Sequence, residues 1–176
     1  MPLKDSLWGG RTKILQPAGY EQFNGTVFMQ GTSGHMKTVL VVEDYDDSRL
    51  MMGRLLEMSG YRVLEAADGR EAVETAEREC PDVVLMDLQM PVLDGFTATS
   101  LIRRIENISR TPVIAVSAQC SEDFVSAAAR VGCDDFVPKP VDFDLLLELI
   151  RQYTEGADGR AYAAPPETVT IRQPCV

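Results

Sequence analysis

The chain lacks any apolar run near the ~20 residues that a membrane-spanning helix requires. It lacks a basic N-terminal stretch leading into an apolar one, so no secretory signal is legible and a cytoplasmic location is expected. Cysteine is scarce. Cys80, Cys120, Cys133 and Cys175 are scattered, fit neither a metal-ligand nor a disulfide-framework spacing, and suit a reducing compartment. The single histidine, His35, reads as linker, not ligand. Basic residues are outnumbered, 17 Lys and Arg against 27 Asp and Glu, for a net charge of −10. That balance argues against non-specific binding to nucleic acid or to an anionic membrane. What is present is a chain of 176 residues, 45% hydrophobic and 25% charged, which fits one globular domain with ragged ends.

Residues 1–35 do not read as part of that domain. They mix Gly, Pro, Gln and Thr with isolated aromatics such as Trp8, Tyr20 and Phe28. Asn24-Gly25 between short apolar stretches suits a hairpin turn, although a lone two-stranded ribbon is marginal. Asn24-Gly25-Thr26 also fits a glycosylation sequon, read as chance without a secretion signal. Gly34-His35-Met36 reads as a junction with Met36 able to serve as a start, so 1–35 is expected to be a disordered extension or an appended leader. Residues 36–153 carry the domain. Residues 154–176 are rich in Gly, Ala, Pro and Thr, show no sustained period and are expected to form a flexible tail.

Within 36–153, apolar strand-like runs alternate with amphipathic helices. Val39 to Val42, Val83 to Met86 and Val113 to Val116 are continuously apolar, as strands covered on both faces are. Tyr61 to Ala66 and Cys133 to Val137 carry charges and are placed at the sheet edges. The helical period predicts inward stripes of Met51, Leu55 and Met58, then Ala72, Val73 and Ala76, then Ala98, Leu101, Ile102 and Ile105, then Phe124, Val125, Ala128 and Val131, and last Leu146, Leu149, Ile150 and Tyr153. Asp46 or Asp47 is expected to cap the first helix and Asp94 the third, with Gly60 as a stop. Five βα units with right-handed crossovers predict an α/β fold: a doubly wound, five-stranded parallel sheet of flavodoxin-like order 2-1-3-4-5.

The strands end in chemistry. Glu43 and Asp44 follow the first, Asp87 ends the third, Ser117 the fourth, and Lys139-Pro140 the fifth. Ligands in such sheets bind at the carboxyl ends of the strands, where the winding reverses between strands 1 and 3. Two like charges ~4 Å apart cost about 4 kcal/mol at an effective dielectric of 20, so three crowded carboxylates recruit a cation or raise their own pKa values. Mg2+ suits oxygen donors of this kind. Asp44 and Asp87 are read as direct ligands, with Glu43 acting through water or at longer reach. Asp87, on the central strand between the acids and Ser117 and Lys139, is the candidate nucleophile for a phosphoryl group. A lone acid at a strand end is more often a cap or turn residue, and Asp134 and Asp135 are read as a solvated edge. An FMN site of the same topology is disfavoured because EDYDD (Glu43 to Asp47) would repel its phosphate. A phosphatase with an Asp nucleophile and a second acid two residues on is disfavoured because Gln89 occupies that place.

The acidic pair Glu43-Asp44, the segment MDLQMPVLDG (Met86 to Gly95), Ser117-Ala118 and FVPKP (Phe136 to Pro140) resemble, in order and spacing, a stand-alone response-regulator receiver domain of two-component signalling. The resemblance implies that Asp87 takes phosphate from the phosphohistidine of a sensor histidine kinase or a phosphotransfer protein. It implies Mg2+ held by Asp44, Asp87 and the Gln89 backbone carbonyl with help from Glu43, a cis Lys139-Pro140 peptide, and Lys139 on the phosphoryl group. Ser117 would move toward the phosphate and Phe136 would swing inward, switching the face of helix 4, strand 5 and helix 5 for an unnamed downstream protein. No activity beyond self-catalysed phosphotransfer and autodephosphorylation is implied, and no direct nucleic-acid or membrane partner. Homodimerisation through helices 4 and 5 stays open. The alternative is a pseudo-receiver, unphosphorylated and acting as an interaction module. The chain departs from the frequent pattern in having Glu43 where Asp is also frequent, Gln89 at a variable position, and Phe136 in place of Tyr.

Overall fold

The computed structural model describes residues 20–23, 26–29 and 36–155. Contacts divide the chain into two units, Met1–His35 and Met36–Val176. In the first, Tyr20–Phe23 and Thr26–Met29 pair antiparallel, with Tyr20 opposite Met29 and Phe23 opposite Thr26. Asn24 and Gly25, read as a turn and a sequon, lie outside the described residues, as does the expected tail beyond 155.

The second unit alternates strand and helix throughout. The strands are β1 (Thr38–Val42), β2 (Arg62–Ala66), β3 (Val83–Asp87), β4 (Val113–Ser117) and β5 (Asp135–Pro138). The helices are α1 (Asp46–Met58), α2 (Gly69–Glu79), α3 (Gly95–Ile102), α4 (Glu122–Val131) and α5 (Phe143–Glu155). All five strands run parallel in the order 2-1-3-4-5, as the sequence predicts. Side chains alternate across each strand, and each face of the sheet has its own core. Val39, Val41, Val83, Leu85, Ile114, Val116 and Val137 pack with Leu56 of α1 and Leu146, Leu149 and Ile150 of α5. Leu40, Val42, Val84, Met86, Val113, Ala115 and Phe136 pack against Ala72 and Ala76 of α2, Ala98 and Ile102 of α3, and Val125 and Ala128 of α4. Among the described residues no helix is long and apolar enough to cross a membrane.

Four local expectations need correction. Met51 and Met58 are exposed and Leu55 half-buried; Gly53 and Leu56 are the buried residues of α1, with Met52 packed beside them. Helix α1 has apolar residues on two adjacent flanks, and the position of β2 decides which is covered. The N-cap of α1 is Tyr45, with no side-chain capping bond, and Asp46 and Asp47 lie in the first turn. Leu101 is exposed and α3 ends at Ile102. Asp134 and Asp135 are not a solvated edge but are each 1% exposed. Asp134 accepts from the Val113 amide at 2.6 Å and from Arg103 Nη2 at 2.7 Å, so a buried charge is paired as burial requires. Asp94 caps α3 as expected, accepting from the Thr97 amide at 2.7 Å. Cys80 and Cys133 carry free thiols, the first exposed and the second buried.

Candidate functional site

The period of the strands builds the site. The alternation that sends Val39 and Val41, Val83 and Leu85, and Val137 to the α1/α5 face carries on through Glu43, Asp87 and Lys139. These three side chains meet although 44 and 52 residues separate successive members along the chain. Lys139 Nζ donates to Glu43 Oε2 at 2.7 Å and to Asp87 Oδ2 at 2.6 Å. Glu43 is 7% and Asp87 5% exposed. The other Asp87 oxygen accepts from the Gln89 amide at 2.8 Å, which fixes the carboxylate at both ends. Asp44 is exposed, and the carboxylates of Glu43, Asp44 and Asp87 each place an oxygen within 4.8 Å of the others. Burial alone would lower the Lys139 pKa; the hydrogen bonds to Asp87 and Glu43 outweigh it and hold the ammonium above the ordinary lysine range.

Two close approaches set the loops. A Cβ on Gly95 would lie 2.1 Å from the Asp87 carbonyl oxygen, so only glycine lets α3 start against the end of β3. Leu93 N donates to Pro91 O at 2.8 Å across Val92, whose φ of 68° is left-handed. A β-branched residue there is an outlier and carries strain. Leu93 O in turn accepts from the Gly69 amide at 3.1 Å, tying this loop to the start of α2.

Ser117 is fully buried at the end of β4, next to Val116, the register partner of Asp87. Its hydroxyl accepts from the Gln119 amide at 3.3 Å, and Gln89 Nε2 donates to Gln119 Oε1 at 3.4 Å. The Lys139-Pro140 peptide is cis. Phe136, expected to swing inward on activation, is already inside and fully buried. Arg49, which the sequence reading passed over, lies beneath the acidic turn: its Nη1 donates to Glu43 O at 2.8 Å and its Nε faces Glu65 Oε2 at 3.5 Å. Its signal was its phase, since an arginine at 49 shares the helix side of Met52, Gly53 and Leu56.

The donor set suits a hard divalent ion. In an octahedron with bonds of about 2.1 Å, opposite oxygens lie about 4.2 Å apart. Separations within 4.8 Å therefore match such an ion with small movements or with water completing one contact.

A doubly wound parallel sheet with acids at its switch point, reached by an amine from the edge strand β5, is an α/β fold of flavodoxin-like topology with a ligand site at the carboxyl ends of its strands. Residues 39–151 match the response regulator receiver domain family, and the chain belongs to that family. PilH of Pseudomonas aeruginosa is 37% identical over 121 residues, 69% of this chain and 100% of PilH. The CAI-1 autoinducer sensor kinase/phosphatase CqsS of Vibrio cholerae is 35% identical over 143 residues, 78% of this chain but 21% of that protein. Among solved structures, the receiver domain of sensor histidine kinase PA1611 from Pseudomonas aeruginosa, with a magnesium ion coordinated in its active site cleft, aligns at 34% identity. Its TM-score is 0.65, over 69% of this chain and all of that one. The chain is thus a receiver domain of two-component signalling.

Proposed function

We propose that Asp87 is the phosphoacceptor of a two-component relay. An Asp87 carboxylate oxygen attacks the phosphorus of a phosphohistidine on a sensor histidine kinase or phosphotransfer protein. The P–N bond breaks, the imidazole leaves with its electron pair and takes up a proton, and an aspartyl phosphate remains. The observation that carries this reading is the single Lys139 ammonium bonded to both Glu43 and Asp87 at 2.7 and 2.6 Å. It lies where the equatorial oxygens of the transferring group would gather charge.

Asp44 and Asp87, the Gln89 carbonyl and, at longer reach, Glu43 would hold Mg2+. When bound, the ion neutralises charge on the phosphoryl oxygens and on the acids themselves. Ser117 gives up its bond from the Gln119 amide to meet the phosphoryl group. Phe136, already packed inside, holds the space behind Ser117. The face of α4, β5 and α5 then changes its affinity for a downstream protein by population shift. No chemistry beyond phosphotransfer and autodephosphorylation is assigned, and the setting is cytoplasmic. The domain spans 36–153, flanked by an extension and a tail.

Incubation with acetyl phosphate and Mg2+ tests this. Wild type should gain one phosphate and Asp87→Asn none. Equal labelling of the two would move the acceptor elsewhere, and failure of wild type both to take up phosphate and to bind Mg2+ would favour the pseudo-receiver.

A further inference from the structure

We propose that Arg49 is the positioning residue of the acidic pair, locking the turn between β1 and α1 from beneath so that Glu43 and Asp44 are preset for a divalent cation. The inference rests on the phosphoacceptor reading above and adds a residue that touches neither the ion nor the phosphoryl group.

The helix after the turn has no side-chain cap, a feature it shares with α4, and here an arginine reaches back to the turn. Asp68 caps α2 through the Arg70 and Glu71 amides, and Asp94 caps α3. Tyr45, at the same position of α1, offers no side-chain bond. The β1 ladder also ends here, with the Glu43 amide on Ala66 O at 3.1 Å. The Glu43 carbonyl then turns to Arg49 Nη1 at 2.8 Å, while Nη2 of the same guanidinium holds Asp46 and Nε faces Glu65 on β2. The Arg49 amide closes the turn on Tyr45 O at 3.0 Å. Asp44 thus follows a residue whose carbonyl the guanidinium holds and lies two residues before the acid that the same planar fork meets, a geometry that a lysine could not reproduce. The partners differ in weight. Asp46 is 87% exposed on its side chain, so that ion pair holds little. The Arg49 side chain is 15% exposed, and its bond to the Glu43 carbonyl is sheltered and charge-assisted.

The test compares wild type, Arg49→Ala and Arg49→Lys by calorimetric Mg2+ titration, by amide hydrogen exchange without metal, and by acetyl phosphate labelling against Mg2+ concentration. Arg49→Ala should weaken Mg2+ binding about tenfold, as loss of a charge-assisted bond would. Exchange of the Asp44 to Asp47 amides should accelerate ahead of the rest of the domain. Half-maximal labelling should need about tenfold more Mg2+, with the maximal rate less affected. Arg49→Lys should recover only part of the affinity. Should Arg49→Ala fail to fold, Glu65→Gln removes one anchor and should weaken Mg2+ binding about two- to threefold. Wild-type Mg2+ affinity in a folded Arg49→Ala, or exchange raised evenly across the domain, overturns the inference. If wild type binds no Mg2+, the phosphoacceptor reading fails instead, and the exchange pattern still decides whether Arg49 holds the turn.

Discussion

Lys139 binds Glu43 and Asp87 with one ammonium, joining the end of β5 to the ends of β1 and β3 through bonds of 2.7 and 2.6 Å. It is the cation that the described site contributes against three carboxylates. Lys139→Ala should slow acetyl phosphate labelling about ten- to a hundredfold, the range of one lost charged hydrogen bond. It should also tighten Mg2+ binding, because a competing cation leaves. Slower labelling together with weaker Mg2+ binding would show instead that Lys139 props the site open.

Gly95→Ala tests the seam between β3 and α3. The new methyl would sit 2.1 Å from the Asp87 carbonyl oxygen and 2.8 Å from Leu88 Cα, both backbone atoms with little room to yield. A loss of about 1–3 kcal/mol or more is expected from overpacking, read as a lower urea midpoint. Labelling at Asp87 should fall as well, since the strand end must move. An unchanged midpoint would mean that α3 does not start against the acceptor.

Val92 tests the strained loop. Its φ of 68° and the Leu93 amide on Pro91 O make a strained γ-turn, which costs a β-branched residue about 1–3 kcal/mol and which glycine enters without a Cβ. Val92 is 75% exposed, so little packing is lost on replacement. Val92→Gly should raise the melting temperature by about a few degrees, because the strain relieved exceeds the chain entropy that glycine adds. A fall would mean that the valine makes a contact worth more than its backbone strain.

Stability should fall on the alkaline side. Burial pushes the Cys133 thiol up to about 12. In the unfolded chain it ionises near 8.5, so between those values the unfolded state has released a proton that the native state retains. The native state therefore loses stability as pH rises through that window. Lys139, also held above its ordinary value, acts in the same direction at higher pH, beyond about 10.4. Melting temperatures from pH 7 to 10 should decline, less steeply in Cys133→Ala. At pH 8 a thiol reagent should modify exposed Cys80 and leave Cys133 untouched until unfolding. Parallel declines in the two proteins would remove Cys133 from the account.

The sheet was legible because its strands announce themselves locally. Val39 to Val42, Val83 to Met86 and Val113 to Val116 are apolar on both faces, and only a strand sandwiched between helix layers needs that. Strand order and the switch point then place Glu43, Asp44, Asp87 and Lys139 at one edge without coordinates. Phase was harder. Met51, Leu55 and Met58 keep helical spacing as well as the flank that is buried, and the choice fell to β2 and to Glu65 packing over Gly53.

The sequence by itself determined the class of fold and which side chains stand at the strand ends, because alternation and helical period are properties of consecutive residues. The tertiary structure alone decided who touches whom: that Lys139 bridges two acids, that Arg49 reaches back to the Glu43 carbonyl, that Asp134 is buried on Arg103, and that Phe136 is already inside. Those contacts join residues far apart in the chain or depend on which flank a neighbour covers, and no local pattern encodes either.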